Sequence, residues 1–110
     1  MRLINLTPHE LAIYDEGTTV LRVPPSGQVA RCEQHENVVE VISVDGHRIA
    51  VLIVDYGEVE GLPQPEAGTR YVVSRLVAEA CRDRRDLLIP GPGIRDDQGR
   101  IVGCRGLARI

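Results

Sequence analysis

The sequence predicts a single α+β domain rich in β-structure, with about nine short, mostly antiparallel strands and one short helix. Three observations predict it. Short β-branched or alternating runs recur between turn residues along most of the chain. Asp45-Gly46 sits between two such runs, the preferred dipeptide for a tight hairpin turn because both central residues need positive φ. Only one stretch, after Ser74, carries apolar residues at helical spacing. The chain of 110 residues is expected to form one domain spanning 1–110.

Arg2–Leu6 reads as a strand that ends at Thr7-Pro8, since a residue before proline is pushed to extended geometry. Leu11 and Ile13, then Val20 and Arg22, flank Glu16-Gly17 as a second hairpin, and Pro24-Pro25-Ser26-Gly27 breaks the chain before a short strand at Val29–Cys32. Val38–Val44 and His47–Asp55 form the arms of the Asp45-Gly46 hairpin. Ile49–Val54 is apolar at every position, the pattern of a strand covered on both faces. One helix cannot supply that cover, so either the sheet curls into a barrel or another subunit packs on it; a homo-oligomer is expected. Gly61–Gly68 is a loop stiffened by two prolines, followed by a strand at Thr69–Val73. Ser74 is a good N-cap, and Leu76, Val77, Ala80 and Cys81 make one apolar stripe, predicting a helix over Arg75–Arg82. Asp86–Ile89 and Arg100–Cys104 are further strands, the second preceded by a turn at Asp97-Gln98-Gly99.

Composition narrows the function. Phe, Trp and Lys are absent and all thirteen cations are Arg, a bias expected of GC-rich coding. A formal charge of −3 and three Tyr as the only aromatics make nucleic acid an unexpected partner. The longest apolar run falls far short of the roughly 20 residues of a membrane span, and Met1–Thr7 lacks the apolar core of a signal peptide, so a cytoplasmic protein without membrane partners is expected. Three cysteines, an odd number, argue for free thiols rather than a disulfide framework. Cys32-x2-His35 is a single mixed pair where structural zinc wants two, so no metal or other cofactor is expected.

The motifs INLTPH at Ile4–His9, PSG at Pro25–Gly27, YGEVEGLP at Tyr56–Pro63, YVVS at Tyr71–Ser74 and RDDQGRIVGCRGL at Arg95–Leu107 occur together. In this combination the chain resembles a family of small proteins opening with INLTPH in phages, prophages and GC-rich bacteria. The resemblance implies a viral or mobile-element setting and no catalytic residues. Small phage proteins of this size often bind something of the host, including nucleotide immune signals.

The candidate site lies in the second half of the chain. Residues 57–110 hold nine of the arginines and eight acids, against four arginines and eight acids in residues 1–56. The predicted helix has Arg75 rather than an acid in its first turn, leaving an end that attracts anions. Ser74, Arg75 and Arg70 are therefore candidate ligand donors, joined by Arg95 and Arg105 on Gly-rich loops that permit close approach, with Asn5 and His9 as secondary candidates. The expected function is non-enzymatic binding of a small anionic, nucleotide-like molecule. One alternative is a hydrolase or lyase of phosphate-containing substrates using His9, Ser74 or Cys104. Another is a protein-interaction module built on Ile49–Val54.

Overall fold

Residues 1–17 and 19–110 are described by the structure, a computed structural model. The β-rich α+β class holds, with ten strands and one helix among the described residues. The strands are β1 (Arg2–Asn5), β2 (Leu11–Tyr14), β3 (Val20–Val23), β4 (Arg31–Val44), β5 (His47–Glu60), β6 (Thr69–Val72), β7 (Leu87–Pro90), β8 (Gly93–Arg95), β9 (Ile101–Arg105) and β10 (Leu107–Ala108); helix α1 (Arg75–Ala80) follows β6. They form a four-stranded sheet ordered β1-β6-β7-β10, a second ordered β3-β2-β9-β8, and the two-stranded ribbon β4-β5. Pairing is more mixed than the sequence suggests: β1 with β6, β6 with β7 and β2 with β9 are parallel.

Strand alternation explains the layering. In β6, Tyr71 faces a core cluster with Leu6, Ala30, Val77, Ala78, Leu87 and Ile89, while its neighbour Val72 faces a second cluster with Leu11, Ile13 and Cys104. The first sheet is thus a central layer, with α1 and the root of the ribbon on one face and the second sheet on the other. Helix α1 is shorter than its predicted span because the chain turns at Cys81. Its deeply buried residues are Val77 and Ala78, and Leu76 is only half-buried. Strands β8 and β10 escape sequence prediction because they are three and two residues long and border glycines.

The Asp45-Gly46 hairpin forms as predicted, with φ of 49° and 81° at the two turn residues. It is much longer than expected, and of the short strand predicted at Val29–Cys32 it takes in Arg31 and Cys32, while Val29 and Ala30 lie outside any strand. Among the described residues no sheet closes into a barrel, and Ile49–Val54 is not buried. The ribbon is anchored only at its root, where Cys32 and Val59 pack on the first core and the Tyr56 hydroxyl donates to Glu79 of α1 at 2.9 Å. From Glu33 to Ala50 every residue is exposed. The radius of gyration is 17.7 Å, against about 13 Å for a compact chain of this length.

Candidate functional site

The anticipated helix entrance is built for packing more than for display. Ser74 caps α1 by accepting from the Val77 amide at 3.3 Å. The Arg75 guanidinium lies against Glu79, one turn along, at 3.0 Å. Glu79 also accepts from Tyr56, and these two donors hold its carboxyl below the usual carboxylate range, the Tyr56 hydrogen bond contributing most. A helix of six residues has a small dipole, so little field remains at its entrance. Ser74 does share a groove of about 260 Å³ with Thr7, Pro8, Arg31 and Leu76.

The other predicted ligand residues lie elsewhere. Asn5 is 1% exposed. Its amide donates to the His9 and Val23 carbonyls at 2.7 and 3.2 Å, and its side-chain oxygen accepts from the Thr7 amide and hydroxyl. Asn5 therefore organises the INLTPH turn. His9 takes part through its backbone carbonyl, and its side chain is exposed. Arg95, in the second sheet, donates to the Gly99 carbonyl at 2.6 Å and closes the β8–β9 hairpin. Arg105 lines a different cavity, of about 520 Å³, shared with Asp15 and Glu16. Arg70 is half-buried on β6, near enough to Asp86 to help keep that carboxylate charged. Of the predicted set, the fold brings Ser74 and Arg75 together and places Arg95 and Arg105 in the other sheet.

The arginine-lined cleft is at the opposite end of α1. After Cys81 the chain turns through Arg82, Asp83, Arg84 and Arg85 before entering β7. Strand β10 runs antiparallel to β7, with Leu107 opposite Pro90 and Ala108 opposite Ile89. That register carries Arg109 back along β7 toward the same turn. The result is a cleft of about 270 Å³ lined by Arg82, Arg84, Arg85 and Arg109 over a floor of Ala78, Leu87 and Ile110.

The four arginines differ in freedom. Arg84 is held by Asp86 through bonds of 2.8 and 2.7 Å and donates to the Pro63 carbonyl at 3.0 Å. Its side chain and that of Asp86 are 18% and 16% exposed. The bidentate pair keeps the Asp86 carboxyl below its ordinary range and raises Arg84 further. Arg82, Arg85 and Arg109 are exposed and form no ion pair among the described residues. One guanidinium is thus fixed as a wall, and three stand free around the opening.

In sequence, Arg82, Arg84 and Arg85 read as ordinary complements to a helix C-terminus. Arg109 carries no local signal, since only the β7–β10 pairing brings it there. Burial raises the nearby Cys81 thiol above its ordinary range, and Cys104 is buried in the second core. Among the described residues, no group of three or more His, Cys, Asp or Glu lies together as a metal site would need, and no helix is long and apolar enough to cross a membrane. Comparison with protein-family models, with curated proteins and with solved structures finds no match to this chain.

Proposed function

We propose that this protein binds a small anionic, phosphate-bearing molecule without transforming it, and that the site is the cleft at the exit of α1. One observation carries the reading. Four guanidinium groups from two distant chain segments converge on one cleft, and three of them have no carboxylate partner among the described residues. The three guanidinium groups without an ion pair repel one another, and a bound anion relieves that repulsion. Guanidinium is also the side chain best matched to phosphate, offering paired planar donors. The Leu87 and Ala78 floor provides an apolar surface for the remainder of a nucleotide-like ligand. The cleft is close to the lower end of the range for small-molecule sites, about 300 Å³, which suits a phosphate group and a ring rather than a polymer. The resemblance to phage proteins favours a host nucleotide signal as that ligand.

Thermal melting with pyrophosphate, ADP and citrate tests the proposal. Pyrophosphate and ADP should raise the melting temperature of the wild type, and Arg85→Ala with Arg109→Ala should abolish the shift. Arg75→Ala and Arg95→Ala should leave it intact. ADP recovered unchanged after incubation agrees with binding alone, whereas turnover would favour the hydrolase reading.

A further inference from the structure

The β4–β5 ribbon presents apolar side chains on both of its faces. Its register settles which residues share a face. Ile42 opposes Ile49 and Val44 opposes His47, so Ile42, Val44, Ile49 and Ile53 lie on one side. Val38 opposes Leu52 and Val41 opposes Ala50, so Val38, Val41, Leu52 and Val54 lie on the other. Ten large apolar side chains of this arm are between 38% and 60% exposed. Both long edges also lie open, since among the described residues each strand pairs only with the other. A two-stranded ribbon of this kind is at best marginally stable in water by itself.

The surface area shows how much cover is missing. The chain exposes 7858 Å², whereas a compact monomer of 12.1 kDa exposes about 6,000 Å². The difference, about 1,800 Å², is roughly twice what one partner contributes to a standard interface, about 800 Å². The chain therefore exposes surplus surface comparable with what a full interface would cover.

Charge points to the occupant. On the face of Val38 and Leu52 an acid, Glu36, sits toward the root and a cation, Arg48, toward the tip. Elsewhere the arm is acidic along its length, with Glu33, Asp55, Glu58 and Glu60 beside Arg31 and His35 at the root, Glu40 midway and Asp45 beside His47 at the tip. Arg48 has no ion pair among the described residues. Glu36 opposes Val54, and Arg48 opposes Ser43, which places Glu36 and Arg48 on the face of Leu52. Two such faces laid antiparallel about a two-fold axis set the tip of each arm on the root of the other. Arg48 of either copy then meets Glu36 of the other, and the apolar residues meet between them. A two-fold contact needs this self-complementarity, which an unrelated partner would match only by chance.

We propose that the β4–β5 arm is a self-association element, covered by the arm of a second copy packed antiparallel across the Leu52 face. Among the described residues the first core cluster draws on the arm only at Cys32 and Val59 and the second not at all, so the outer half of the arm adds nothing to either core.

Sedimentation equilibrium on the full chain tests this. The wild type is expected to be a dimer or a multiple of one. Leu52→Arg should weaken association at least tenfold while the thermal melt of the body persists. Arg48→Glu and Glu36→Arg should each weaken it, and the two together should restore it. A monomeric wild type overturns the proposal, whether or not it binds phosphatidylcholine vesicles. So does an oligomer indifferent to Leu52→Arg, and single charge reversals that weaken association without rescue overturn the antiparallel arrangement.

Discussion

Replacing Asn5 by alanine should destabilise the domain far more than a surface substitution, because one side chain holds the first strand, the following turn and the end of β3 together. Asn5 makes four hydrogen bonds: to the carbonyls of His9 and Val23 and from the amide and hydroxyl of Thr7. Its own carbonyl accepts from Ser26, and Leu6 beside it is 1% exposed in the first core. A net hydrogen bond contributes about 1 kcal/mol, and those that reach partly exposed partners contribute less. Four such bonds, some of them to partly exposed partners, give a loss of about 3 kcal/mol for Asn5→Ala. For a domain of this size that corresponds to a fall in Tm of roughly 12–15 °C. Urea denaturation measures it directly, and Thr7→Ala, which removes only the hydroxyl bonds, should cost about 1 kcal/mol. If Asn5→Ala cost under 1 kcal/mol, Asn5 would not be a structural bridge, and its candidacy for ligand contact would reopen.

Three further outcomes follow from the geometry. Asp86 has its folded-state pKa depressed by Arg84, so the stability it contributes is present above its unfolded value and is lost as pH falls through the lower folded one. Asp86→Asn should therefore cost about 2 kcal/mol at pH 7, and the gap to wild type should begin to narrow only below about pH 4, as urea titrations across pH will show. Gly61 has φ of +78°, and an added Cβ would collide with the Val29 carbonyl, whereas Gly46 at the ribbon tip has open space. Gly61→Ala should cost more than 2 kcal/mol and Gly46→Ala about 1 kcal/mol; equal losses in denaturant would refute the clash. Removing the cap with Ser74→Ala should cost about 1 kcal/mol, and an unchanged melting curve would show the cap to be idle.

The fold was legible in sequence wherever local chemistry decides the backbone. Asp45-Gly46 adopts the turn its residue types require, Ser74 caps the helix, and Thr7-Pro8 ends β1. What was illegible depends on register between distant segments. Ile49–Val54 carries a clear demand for cover, but a strand's apolarity does not say whether that cover comes from its own chain. The same limit applies to the site. The arginines of residues 57–110 were visible as a group, but Arg95 and Arg105 belong to the second sheet, and Arg109 reaches Arg85 only through the β7–β10 pairing. Asn5 looked like a free polar group because the strand-end geometry that buries it comes from Leu6, Val23 and Val72 together.

The arginine cleft is tested most directly by following the guanidinium Nε–H resonances of the protein during titration with pyrophosphate. The cleft reading predicts saturable shifts at Arg82, Arg85 and Arg109, with Arg75, Arg95 and Arg105 unmoved. Saturable shifts confined to Arg75, Arg95 or Arg105, or none at any arginine, would contradict it.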